Sequence, residues 1–251
     1  MNIQTCTYDS QALGRSMRFQ IYGHRGQPIL FIPCQGGHEG DFAAFGMDAV
    51  LRPLIDAGRA FVVSCDTIDG ETWSDLWGDP RRRIEQHERW FRSMADELVP
   101  RIQDLCQARN GEALPPLLFG CSMGAMHAAN FFFRRPELFC GVLALSGLYD
   151  ARESFPGYMD DLVYLNSPCD CLWGMPDDHP YLDLYNARKM IFCVGQGAWE
   201  EPLLAGTRRL HQALERRGVH AWVDYWGADV AHDWPWWHKQ AAYFLPHFLS
   251  D

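Results

Sequence analysis

The stretch Leu117-Leu118-Phe119-Gly120-Cys121-Ser122-Met123-Gly124-Ala125-Met126-His127-Ala128-Ala129 decides how this chain is read. An apolar, strand-like run enters Gly-x-Ser-x-Gly, and a helix-forming run leaves it. In that setting the pentapeptide is a nucleophile elbow. The serine stands at the apex of a very tight turn. Glycines on either side remove Cβ atoms that would collide where strand and helix close. The turn lifts the Ser122 hydroxyl off the sheet and points the Met123 N–H, with the helix N-terminus, at a developing oxyanion. The plainer alternative is a glycine-rich turn with a capping serine.

A serine hydroxyl is a weak nucleophile and needs a base that a carboxylate orients. On a strand–turn–helix elbow these follow in the order serine, acid, histidine. The base is expected in the loop after the last strand. There Trp226-Gly227-Ala228-Asp229-Val230-Ala231-His232-Asp233-Trp234 presents His232, whereas His238 and His247 fall inside the final helix. The acid is expected after the strand Ile191–Val194, in Gly195-Gln196-Gly197-Ala198-Trp199-Glu200-Glu201-Pro202. Pro202 suits a first helical turn, which puts Glu201 near an N-cap and leaves Glu200 as the preferred acid. Asp224 and Asp229 are further alternatives. A second oxyanion donor is expected from Pro33-Cys34-Gln35-Gly36-Gly37-His38-Glu39-Gly40, as the N–H of Gln35 or of Gly36, with His38 on the rim.

Outward from the elbow, short β-branched and aromatic runs alternate with helical patterns. Strands are expected at Met17–Tyr22, Pro28–Ile32, Ala60–Cys65, Leu117–Gly120, Gly141–Ser146, Met190–Val194 and His220–Tyr225. Continuous apolar runs of this length suit strands buried on both faces of a parallel sheet. Asp79-Pro80 opens a long helix carrying one stripe: Ile84, Phe91, Met94, Leu98, Ile102 and Leu105. Further helices are expected at Met123–Arg135, at Leu203–Arg217 before Gly218, and at Trp237–Leu249, bent or restarted at Pro246. The fold class is α/β, one domain over 1–251. The stretch 148–188 is expected as a lid-like insertion over the C-terminal edge of the sheet, where such folds bind ligands. Its aromatics, with Trp73, Trp77 and Trp173, are expected to line an acyl pocket.

Composition narrows the classes. At 47% hydrophobic and 22% charged, the 251 residues are those of a globular chain with a real core. There are 22 Lys and Arg against 32 Asp and Glu, a net charge of −10 that opposes binding to nucleic-acid phosphates. No apolar run is long enough to span a membrane. The first residues lack a secretory pattern, so a cytoplasmic location with reduced thiols is expected for the nine cysteines. Cys169-x-Cys171 completes no zinc quartet and no HExxH pattern occurs, so no metal is expected. Gly195-x-Gly197 comes late and lacks the third glycine of a dinucleotide-binding loop. The aromatic C-terminal region leaves a homo-oligomer open.

Three of these motifs together resemble the Putative esterase branch of the α/β-hydrolase superfamily, the group of esterase D and the mycolyltransferase-like proteins. Gly120–Gly124 resembles its G-x-S-M-G. Gln196-Gly197-Ala198-Trp199-Glu200 resembles its acid-bearing Q-G-x-x-D, with Glu in place of the commoner Asp. Ala231-His232-Asp233-Trp234 resembles its histidine segment. The loop Pro33–Gly37 is not that of esterase D. The resemblance implies an α/β-hydrolase fold, a mostly parallel sheet flanked by helices, with the insertion after its sixth strand. It implies cleavage of a small-molecule carboxylic ester by Ser122, His232 and Glu200, without a cofactor. A thioesterase or acyltransferase would use the same three residues. A non-catalytic binding protein on this fold is the alternative outside the enzymes.

Overall fold

Alternate residues of the central strands feed two separate cores. In a strand, neighbouring side chains point to opposite faces, and here both faces are apolar. Leu30 and Ile32, Phe61 and Val63, Leu118, Val142 and Ala144 pack on one side. Ile29 and Phe31, Val62, Leu117 and Phe119, Leu143 and Leu145 pack on the other. The structure is a computed structural model and describes residues 1–249. Its strands are β1 (Ile3–Ser10), β2 (Arg15–Tyr22), β3 (Gln27–Ile32), β4 (Ala60–Cys65), β5 (Leu117–Cys121), β6 (Gly141–Leu145), β7 (Lys189–Val194) and β8 (Trp222–Tyr225). They form one sheet in the order β1-β2-β4-β3-β5-β6-β7-β8. The β1–β2 and β2–β4 pairings are antiparallel. All the others are parallel.

The expected strands are present, the last starting two residues later than expected, at Trp222. β1 was not foreseen. It is an edge strand with most of its residues solvent-exposed, so no buried run marks it. The helix Met47–Asp56 was not foreseen either; Pro53 lies inside it, a residue that argues against a helix in sequence. The long helix begins as expected, with Asp79 Oδ1 accepting the Arg82 N–H at 2.8 Å. It runs as Pro80–Arg92, a π-helical stretch Ser93–Leu98, and Val99–Asn110. Pro100 has no N–H for the Asp96 carbonyl and its ring crowds that carbonyl, so the ladder widens there. The C-terminal helix is Trp234–Phe244, followed by a 3-10 turn Leu245–Phe248 that contains Pro246.

The 148–188 stretch forms three short helices, Asp161–Leu165, Pro168–Gly174 and Tyr181–Asn186. Ala151, Phe155 and Val163 bury against Trp73, Ile84 and Met126. Leu172 and Tyr185 join the larger core. No helix among the described residues is long and apolar enough to cross a membrane.

Candidate active site

The loops that follow the C-terminal ends of β3, β5, β6, β7 and β8 meet around Ser122. It follows β5, with φ 56° and ψ −125°. Such a backbone costs a non-glycine residue about 1–3 kcal/mol and persists only where its surroundings enforce it. A Cβ on Gly120 would collide with the Gly124 carbonyl, and one on Gly124 with the carbonyls of Ile32 and Pro33. The Ser122 N–H donates to the Leu145 carbonyl at 2.9 Å, tying the turn to β6. Met123 is the first residue of the helix Met123–Arg134, and among the described residues no acceptor takes its N–H.

His232, in the loop after β8, brings Nε2 to 2.9 Å from Ser122 Oγ. Its Nδ1 faces Glu200 Oε2 at 3.3 Å. Its backbone N–H donates to the Ala198 carbonyl at 2.9 Å, which joins the histidine loop to the acid loop. Trp237 meets the imidazole edge-on, with ring centroids 4.8 Å apart. Glu200 is fully buried. Its Oε1 accepts the Ser146 hydroxyl at 2.6 Å and the Gly195 N–H at 3.4 Å. Trp237 Nε1 donates to Ser146 Oγ at 3.2 Å. Glu201 is exposed and opens the helix Glu201–Arg216.

The two donors weighed in the β3 loop are separated by one contact. The Gly36 N–H donates to Asp69 Oδ2 at 2.9 Å. Gly36 is therefore corrected as a candidate, because its N–H is already taken. Among the described residues no acceptor takes the Gln35 N–H, and Gln35 shares a cavity wall with Ser122 and Met123.

That cavity encloses about 300 Å³ beside Ser122 and His232. Trp73, Leu76, Met123, Met126, Leu148 and Leu203 supply its apolar wall, and Asp150, Glu153 and Ser154 its polar end. Trp77, Trp173 and His38 are not part of it. Trp77 is 99% exposed on the turn beyond Leu76. Trp173 lies under the Arg216 guanidinium, 4.7 Å from its ring centroid, beside a different cavity. His38 faces Asp66, with Nδ1 3.8 Å from Oδ1. None of the three lines this cavity; sequence shows that a residue is aromatic, not which way it faces. Sequence reasoning also missed Ser146 and Asp69. Among the described residues, Ser146 and Trp199 are the two other non-glycine positions with positive φ, at 53° and 66°. Among the described residues no group of three or more His, Cys, Asp or Glu side chains is arranged to hold a metal, and the nine cysteines are free.

The family model described as Putative esterase matches residues 10–247. The chain belongs to this esterase family. It is thereby a carboxylesterase-type hydrolase. Among solved structures it is similar to a ferulic acid esterase, with TM-score 0.74, 17% identity and coverage of 98% of this chain and 97% of the other. It is also similar to an S-formylglutathione hydrolase from Agrobacterium tumefaciens, with TM-score 0.72, 15% identity and coverage of 98% and 94%. MPT51 (FbpC1) of Mycobacterium tuberculosis gives TM-score 0.69, 14% identity and coverage of 99% and 98%. At such identities the likeness establishes the fold, the α/β-hydrolase fold that the resemblance implied. No curated protein matches the chain by sequence.

Proposed function

We propose that this esterase works through an acyl-enzyme, with Ser122 as nucleophile, His232 as general base and Glu200 as the orienting acid. Ser122 Oγ attacks the ester carbonyl carbon while its proton passes to His232 Nε2. The carbonyl oxygen becomes an oxyanion held by the N–H groups of Met123 and Gln35. The tetrahedral intermediate collapses, the C–O bond to the alcohol breaks, and His232 returns the proton to the leaving oxygen. Water then attacks the acyl-Ser122 carbonyl carbon while giving a proton to His232; the second tetrahedral intermediate collapses, the bond from the acyl carbon to Oγ breaks, His232 returns the proton to Ser122 Oγ, and the carboxylic acid leaves. Glu200 keeps the proton of neutral His232 on Nδ1, which leaves Nε2 free to accept.

The observation that carries this reading is the relay itself. A strained serine lies 2.9 Å from an imidazole whose other nitrogen faces a fully buried glutamate. The cavity beside it suits a small ester with a mainly apolar body, on the order of a short acyl chain or one aromatic ring. The test is stopped-flow hydrolysis of p-nitrophenyl acetate. An acyl-enzyme pathway with slow deacylation releases a burst of one p-nitrophenol per active site, and Ser122→Ala abolishes both burst and turnover. Turnover retained in Ser122→Ala would refute the assignment.

A further inference from the structure

Asp69 is buried, 33 residues from Gly36 in sequence, yet it grips the loop beside Ser122. Residues Cys34–Gly37 form a β-turn closed by the Gly37 N–H on the Cys34 carbonyl at 2.9 Å. Gly36, its third residue, has φ +67°, while Gln35 is not among the residues of positive φ. That combination is a type II turn. A type II turn differs from type I chiefly by a flip of its central peptide plane, here Gln35–Gly36. The flip would replace the Gly36 N–H with the Gln35 carbonyl oxygen at Asp69 Oδ2. Two acceptors cannot share that place, so the carboxylate holds the turn in one form.

The carboxylate is itself fixed. Its Oδ1 receives a hydrogen bond from His127 Nε2 at 2.8 Å, both side chains being wholly buried. An ionised carboxylate has no hydrogen to give, so His127 donates. His127 sits on the same helix that Ser122 caps, which references the loop to the nucleophile's own element. The Asp69 carbonyl accepts the N–H groups of Thr72 and Ser74 at 3.0 and 2.9 Å. Ser74 Oγ in turn accepts from Gln35 Nε2 at 2.9 Å. Asp69 thus holds Gln35 from two sides, through the backbone of Gly36 and through Ser74.

We propose that Asp69, braced by His127, is a positioning residue for the oxyanion hole: by gripping the Gly36 N–H directly and Gln35 through Ser74, it fixes the Cys34–Gly37 turn in place, and with it the preceding Cys34–Gln35 peptide whose N–H borders the Ser122 cavity. The proposal rests on the serine-hydrolase reading above. It assigns the buried Asp69–His127 pair to the reaction rather than to the core alone. A preformed hole matters because donors already aimed at the oxyanion need no reorganisation as charge develops.

The test compares wild type, Asp69→Ala, Asp69→Asn and Gly36→Ala. It measures kcat and KM for p-nitrophenyl acetate, Ki for an alkyl trifluoromethyl ketone that forms an oxyanion adduct, and Tm. Removing an oxyanion donor outright costs about 10²–10³-fold in kcat. Releasing its mount in Asp69→Ala is expected to lower kcat roughly 10–100-fold. Ki should weaken by a similar factor while KM stays nearly constant. Asp69→Asn keeps an oxygen for the Gly36 N–H and should lose far less. In Gly36→Ala the added Cβ meets nothing within 4 Å, but an L-residue disfavours the positive φ. This variant should reproduce the kcat and Ki losses with little change in Tm. A core role alone would lower the Tm of Asp69→Ala and leave kcat and Ki at wild-type values, which overturns the proposal. Should Asp69→Ala not fold, Gly36→Ala decides alone: wild-type kcat and Ki overturn the proposal. Wild-type enzyme without Ser122-dependent turnover would instead remove the serine-hydrolase reading beneath it.

Discussion

Ser146 donates its hydroxyl hydrogen to Glu200 Oε1 at 2.6 Å, so the carboxylate that faces His232 is held from behind by a second serine, this one fully buried. Ser146 follows β6 as Ser122 follows β5, and both have φ near 55°, at 53° and 56°. Hydrogen bonds to charged groups contribute about 1.5–3 kcal/mol. Ser146→Ala is therefore expected to lower kcat roughly tenfold with little change in KM, read by steady-state kinetics. Ser146→Gly loses the same hydrogen bond but relieves the backbone. It should be more stable than Ser146→Ala by about 1 kcal/mol, measured by urea denaturation. Equal stability of the two variants would mean that Ser146 stores no strain.

Glu200→Gln separates charge and tautomer from shape. The Oε1 position meets two donors, Ser146 Oγ–H and Gly195 N–H. A glutamine would keep its oxygen there and turn its NH₂ toward His232 Nδ1. That holds the imidazole as the Nε2–H tautomer, which cannot accept the Ser122 proton. The expected loss in kcat is about 10³–10⁴-fold with the fold intact. Glu201→Gln, at an exposed helix start, should retain nearly full activity. The reverse ranking in kcat would reassign the acid.

His87 predicts how stability depends on pH. Burial, and then the neighbouring charges of His127 and Arg134, hold its imidazole well below the usual 6.5. Above pH 6.5 the ring is neutral whether the chain is folded or unfolded. Below it the unfolded chain binds a proton that the folded chain refuses, so stability falls as pH falls. The slope from this group approaches about 1.4 kcal/mol per pH unit. His87→Gln should show a shallower loss of unfolding free energy between pH 6.5 and 5. An unchanged slope would show that another group governs the acid limb.

The cavity walls predict selectivity. Leu148→Trp fills space beside Ser122. It should reduce kcat/KM for p-nitrophenyl hexanoate about 10–100-fold more than for the acetate. Trp77→Ala and Trp173→Ala should leave that ratio within about twofold, since neither side chain lines the cavity. A large change in the ratio with Trp77→Ala would bring that loop into the substrate site.

Much of this arrangement was legible in the sequence, because the chemistry constrains the chain locally. Buried parallel strands read as continuous apolar runs, and the elbow needs its two glycines within five residues. Glu200 was preferred to Glu201 because Pro202 starts a helix, and only Glu200 bonds His232. What stayed hidden depends on contacts across the fold. The choice of Gln35 over Gly36 turns on Asp69, 33 residues further on. Ser146 is recognisable only once β6 lies beside β5 and β7. Trp77 and Trp173 lie off the cavity beside Ser122, a placement hidden in the sequence because composition counts aromatic rings without saying which face solvent. β1 and the helix Met47–Asp56 lack the patterns that mark the other elements: one is a mostly exposed edge, the other carries an internal proline.

The most direct test of the central claim is intact-mass analysis after treatment with a fluorophosphonate, which phosphonylates an activated serine. With Ser122 as nucleophile, the folded wild-type chain gains the mass of one phosphonyl group, peptide mapping places it on Ser122, and Ser122→Ala gains none. An adduct that persists in Ser122→Ala, or a folded wild-type chain that takes up no label, would contradict the account.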